Sequence, residues 1–194
     1  MRKITAFESV TLDGVMQAPG RPDEDTRGGF EHGGWALPYS DPVMAQVAGA
    51  GMAASPDLLF GRRTYEDFFS VWPNRSDNPF TDLLNNTQKY VASTTLREPL
   101  PWKNSTLLEG DAAESIGALK AQAGKDVVIL GSGELVRALT NAGLIDRYIL
   151  LIHPLVLGSG RRLFDNDGSH VALRLVDTKT STTGVVIATY EATK

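Results

Sequence analysis

Two glycine-bearing turns in this chain carry the residue types and spacing needed to bind an anion. The first is Gly131-Ser132-Gly133-Glu134-Leu135. It follows a short apolar run at 126–130 and leads into a segment with apolar residues at 135, 136, 138, 139 and 142, which is helical spacing, with Gly143 placed to cap its end. At such a strand-to-helix turn the first N–H groups of the helix lack intrahelical acceptors and lie at the positive end of its dipole. The second turn is Gly61-Arg62-Arg63-Thr64, between a strand at 56–60 and an amphipathic helix continuing through 69. Arginine opposes the helix dipole at a first turn, so two of them there need a reason, and planar bidentate contact with a phosphate is one. Both turns also read as structure alone. The G-S-G turn lacks the third glycine of a dinucleotide fingerprint and serves equally as a tight turn, and the arginines serve equally as solvated charges.

Further polar candidates stand at other strand ends. Ser93 and Thr94 close a strand at 89–93; if the strands are parallel neighbours, these hydroxyls share a rim with Gly61 and Gly131, where open α/β sheets bind ligands. Asp13, in Thr11-Leu12-Asp13-Gly14 after a strand at 4–10, reads either as a catalytic polar residue or proton relay, or as a turn acid. Residues 15–39 are rich in Gly, Pro and charge but carry Phe30, Trp35 and Tyr39, a combination suited to a lid that folds over a flat ligand. The other reading is a surface excursion pinned by Trp35. Glu31 and His32 in this segment offer protons through water, and Trp35, Phe68 and Trp72 are candidate substrate walls or simply core.

The elements that must position these residues follow from periodicity. A helix is expected at 43–54, started by Asp41-Pro42, with others at 80–86 and 112–123. Strands are expected at 106–108 and 147–153, and 171–178 with 184–192 alternate as an antiparallel pair around a turn. The sum is a three-layer α/β/α arrangement: a mostly parallel central sheet with antiparallel C-terminal strands, as a single domain over residues 1–194.

Composition removes several function classes. Acidic residues outnumber basic ones, 23 to 19, so the surface as a whole does not invite nucleic acid. No apolar run is long enough to span a bilayer, no signal-peptide core opens the chain, and the expected location is cytoplasmic. Without cysteine, and with His32, His153 and His170 scattered, no metal site is expected.

Taken in order, TLDG (11–14), GRRTYE (61–66), VASTTL (91–96), VILGSGELVRAL (128–139) and LIDRYILLIHPLVLGSGRRLF (144–164) resemble the dihydrofolate-reductase-like superfamily. The nearer resemblance is to the reductase domain at the C-terminus of the bifunctional riboflavin-biosynthesis deaminase/reductase and its free-standing relatives. The resemblance implies NADPH as cofactor. Leu12, Asp13 and Gly14 would border the nicotinamide, Gly61, Arg62, Arg63 and Thr64 would hold the pyrophosphate and 2′-phosphate, Ser93 and Thr94 would lie beside the latter, and Gly131, Ser132, Gly133, Glu134 and Leu135 would underlie the pyrophosphate and nicotinamide. It also implies a homodimer and a small-molecule substrate. The chain departs from the resembled patterns on the substrate side. The expected helix at 43–54 has no acid, and Phe7 and Ser9 stand where riboflavin-pathway reductases usually have lysine and alanine. The function expected is hydride transfer to a small carbonyl or imine, or to a ribosylaminopyrimidine-like compound. A non-catalytic NADP(H)-binding protein and a phosphosugar-binding enzyme without redox chemistry are the competing readings.

Overall fold

A computed structural model describes residues 1–78, 80–164 and 170–193. The Pro79 that ends the polar run after Trp72 lies outside the described residues. The strands are β1 (Ile4–Thr11), β2 (Asp57–Gly61), β3 (Lys89–Ala92), β4 (Ser105–Leu108), β5 (Val127–Leu130), β6 (Arg147–His153), β7 (Leu173–Thr180) and β8 (Val186–Ala192). Among the described residues they form one sheet in the order β4-β3-β2-β5-β1-β6-β8-β7. Neighbours from β4 to β6 are parallel, while β8 pairs antiparallel with both β6 and β7.

The helices are α1 (Pro42–Ala53), α2 (Arg62–Val71), α3 (Phe80–Asn86), α4 (Ala112–Ala121) and α5 (Gly133–Asn141). Strand alternation sends side chains to two cores. Ala6, Leu59, Val127 and Ile129 pack against Ile116 of α4 and Val136 and Leu139 of α5. Leu58, Phe60 and Val91 face the other way, onto Met52 of α1, Tyr65 of α2 and Leu84 of α3. The result is the expected three-layer α/β arrangement, with α1, α2 and α3 on one face and α4 and α5 on the other.

Chain order explains where a ligand can enter. From β1 the chain goes to β2, on the far side of β5, and then outward to β3 and β4; from β5 it goes to β6, on the far side of β1. Strand order therefore reverses between β1 and β5, and crossover helices leave that point on opposite faces. A crevice opens there at the carboxyl ends of the strands. It is deepened by unequal length, because β5 stops at Leu130 opposite Phe7 whereas β1 continues beside β6 to Thr11.

Local signals match the helix limits. The Asp41 carboxylate accepts from Val43 N–H at 2.6 Å with Pro42 in the first turn, and Asp111 caps α4 through Glu114 N–H at 3.0 Å. Gly143 (φ 64°) follows α5 in the left-handed region, as its placement in sequence predicts. Leu139 is fully buried between α5 and the sheet. Leu139→Ala should lower unfolding free energy by about 2–5 kcal/mol, read as a lower urea midpoint at unchanged m-value.

Candidate functional site

The two glycine turns meet. Gly61 N–H donates to Ser132 Oγ at 3.0 Å, joining the first turn of α2 to that of α5 across the β2–β5 pair. Ser132 sits in the left-handed region (φ 61°, ψ 40°) as the N-cap of α5, yet its hydroxyl does not cap its own helix. Gly61, the N-cap of α2, has no side chain to cap with. Both helix starts thus keep N–H groups free at the positive ends of their dipoles, the condition for holding an anion. Gly131 (φ 63°) makes the close approach between the turns feasible, since a Cβ there would lie 3.3 Å from Thr64 Cγ2 in a conformation that side chains resist.

Both turns open into one cavity of about 980 Å³. Gly61, Arg62, Arg63 and Thr64 line one wall, and Gly131, Ser132, Gly133, Glu134 and Leu135 another. Phe68 and Trp72 also line it. Arg62 is paired with Glu66 one turn along α2, at 2.9 Å. Arg63 is exposed and pairs with no carboxylate among the described residues.

Residues 17–27 roof the cavity. Buried Gln17 organises this roof: its Nε2 donates to the carbonyls of Asp25 (3.1 Å) and Arg27 (2.9 Å), and its Oε1 accepts from Arg161 N–H (2.9 Å). Arg21 pairs with Asp67 of α2, and Arg27 with Glu134 of α5, which also meets Arg161. These pairs are partly exposed, so each holds the roof by only about 0–1 kcal/mol.

Several residues named from sequence do not line the cavity. Ser93 and Thr94 lie on the same rim, one strand beyond Gly61, but Ser93 Oγ is occupied locally, accepting from Thr95 and Leu96 N–H. Trp35 is buried with Val15, Ala18 and Phe30 rather than walling a substrate, its Nε1 donating to Gln17 O at 2.7 Å and its ring edge-on to His153. Leu12 is exposed, and Gly14 turns back to accept from Leu163 N–H. Asp13 is bonded by Thr11 Oγ1, Leu157 N–H and Gly158 N–H, and the Thr11 hydroxyl chiefly holds its carboxyl down at about 2. A carboxylate so consumed fixes the 155–158 segment and has no proton to give, so the turn reading fits this geometry. Glu31 and His32 are exposed and outside the cavity as well.

A buried acid on the sheet side, Glu8, also lines the cavity. It is 3% exposed, and its Oε1 has no hydrogen-bond partner among the described residues. Burial, and secondarily the charge of Glu24 in the roof, push its carboxyl up from 4.5 to about 8. One signal for it was available in sequence. Ile4, Ala6, Glu8 and Val10 occupy alternate positions, so a carboxyl is assigned to the buried face of the strand.

Residues 2–187 match the RibD C-terminal domain family. The chain belongs to this family. It is 31% identical over 138 residues to the uncharacterized protein YyaP of Bacillus subtilis (strain 168), covering 69% of this chain and 72% of that protein. The putative riboflavin biosynthesis protein of Shewanella sp. PV-4 superposes with a TM-score of 0.66 at 20% identity, covering 99% of each chain. Dihydrofolate reductase from Enterococcus faecalis, complexed with NADP(H) and RAB-propyl, superposes with a TM-score of 0.58 at 14% identity, covering 99% of this chain and 97% of that one. The fold of this RibD C-terminal domain is thus dihydrofolate-reductase-like. Among the described residues no helix is long and apolar enough to cross a membrane, and no group of three or more His, Asp or Glu is placed to hold a metal ion.

The two shifted acids act oppositely on stability. Glu8 is neutral in the fold and ionised in the unfolded chain between pH 4.5 and about 8, so its contribution falls as pH rises through that window. Glu8→Gln should therefore gain in melting temperature relative to wild type from pH 5 to 8, with the difference levelling above. Asp13 favours the fold above about pH 4 and loses that contribution as pH falls towards 2, so the stability deficit of Asp13→Asn should shrink in acid.

Proposed function

We propose that this RibD C-terminal domain is an NADPH-dependent reductase that delivers a hydride to a small carbonyl or imine. The carrying observation is the junction of two uncapped helix starts on one cavity at the strand-order reversal, with Arg63, which pairs with no carboxylate among the described residues, at its side. Family membership supports a reductase, and the similarity to a dihydrofolate reductase described with NADP(H) supports the cofactor.

The residues fit a phosphorylated dinucleotide. N–H groups at the starts of α2 and α5 suit a pyrophosphate, and the Arg63 guanidinium suits a further phosphate through charge-assisted bonds. Glu134 brings negative charge to the start of α5, but Arg27 and Arg161 both pair with it, and with Asp25 on Arg27 the two acids here are matched by two guanidinium groups. When bound, the cofactor supplies the hydride. The chain supplies position and dryness: Gln17 and the two ion pairs hold the roof down, and Phe68, Trp72, Leu130 and Met52 give apolar walls. Because those ion pairs are individually weak, opening the roof for exchange costs little.

The substrate side is sparing in charge. Phe7 and Ser9 line the cavity and present no ammonium, and α1 contributes Ala48, Gly51 and Met52 without an acid. This favours a compact, weakly charged acceptor over one bearing a phosphate.

Titration of tryptophan fluorescence with NADPH and NADH tests the cofactor reading. NADPH should bind more tightly by about 1–3 kcal/mol, roughly 5- to 150-fold, and Arg63→Ala should remove most of the difference while leaving NADH affinity nearly unchanged. Equal affinity of wild-type protein for the two would refute the phosphate assignment.

A further inference from the structure

We propose that Glu8 is the acid that protonates the substrate heteroatom as hydride reaches the adjacent carbon, an inference that rests on the reductase reading. Position comes first. Gly131 N–H reaches Phe7 O at 3.4 Å, and beyond this point β5 no longer covers β1. Glu8 is the next residue, paired on its other side only with Leu150 of β6. Its carboxyl thus enters the crevice where strand order reverses, beside the turn that joins the two helix starts.

Second, the fold gains nothing visible from it. An unpaired buried polar oxygen is costly, and among the described residues Oε1 has no partner that would offset the cost. Groups kept in that condition at a cavity wall are matched to a ligand. Third, its protonation state suits a donor. The carboxyl is raised to about 8 by burial and then by Glu24, so near neutral pH it holds a proton to give. Apart from Arg63, the other charged side chains of the wall have partners of their own. Arg21 pairs with Asp67 and Arg27 with Glu134, while Arg62 pairs with Glu66. Glu24 itself accepts from Gly20 and Arg21 N–H on Oε2.

The chemistry balances. The C=O or C=N carbon gains a hydride, its π electron pair moves onto oxygen or nitrogen, and the Glu8 O–H bond breaks as its proton passes to that atom. An alcohol or amine forms, the nicotinamide is left oxidised, and the Glu8 carboxylate regains a proton from solvent. An acceptor that is already an iminium cation needs no such proton, because hydride alone yields the neutral amine.

That difference supplies the test. Wild type and Glu8→Gln are compared for NADPH binding, for a protonated-carboxyl band in infrared spectra across pH, and for turnover of two acceptors, diacetyl and the 1-methyl-1-pyrrolinium cation. The expected results are a band that titrates near pH 8 and is missing from Glu8→Gln, unchanged NADPH affinity, and a wild-type kcat on diacetyl that falls above about pH 8. Glu8→Gln should lose about 10²- to 10⁴-fold in kcat on diacetyl, lose that pH limb, and keep most of its rate on the cation. Absence of the band, an undiminished rate on diacetyl, or equal losses on both acceptors would overturn the assignment. Wild type that binds NADPH but reduces neither acceptor would overturn it too. Failure of both proteins to bind NADPH would instead sink the reductase reading, and this inference with it.

Discussion

The site depends on a difference in strand length. β5 ends at Leu130, opposite Phe7, while β1 runs on to Thr11 with β6 alone beside it. The gap this leaves is where the α5 turn folds over to receive the Gly61 N–H, and where Glu8 is released from sheet packing into the cavity. A β5 extended by two residues would cover that edge of β1, displace the Gly131–Gly133 turn and bury Glu8 against a neighbouring strand. A short strand at the point of order reversal thus creates both the glycine turn and the room beside it.

Two kinds of electrostatics coexist within a few residues of this gap. Around the two helix starts, fixed dipoles and guanidinium groups favour negative charge, and the acids present there are matched to arginines. In the gap beside β5, burial with no partner for Oε1 among the described residues keeps the Glu8 carboxyl neutral. Asp13 shows the reverse, since a hydroxyl and two backbone N–H groups hold it ionised as a structural tie between the β1 turn and the 155–158 segment. The two carboxyls are separated by only a few positions, and their surroundings give them opposite chemistry.

The roof combines order with weak attachment. Gln17 binds two roof carbonyls and the backbone of Arg161, and Trp35 fills the small core beneath the outer part of the segment. This gives the loop a shape of its own, whereas its ties to α2 and α5 are surface ion pairs. Such a segment can move as a unit rather than unravel.

The amino-acid sequence by itself determined the element order, the strand and helix types, and the two glycine turns, because periodicity and turn chemistry are local properties of neighbouring residues. The limits of α3 and β6 agree with periodicity to the residue, and β5 begins one residue later than the apolar run at 126–130. Only the tertiary structure decided which candidates share a cavity. Ser93 and Thr94 stand one strand too far out, Trp35 turns into the core, and Asp13 is drawn away by partners at Leu157 and Gly158, more than a hundred residues distant in the chain. Glu8 was passed over for the same reason. Alternation marks it as inward, but whether an inward acid meets a partner, a strand or open space depends on where β5 stops, and a single strand's sequence holds no information about the length of its neighbour.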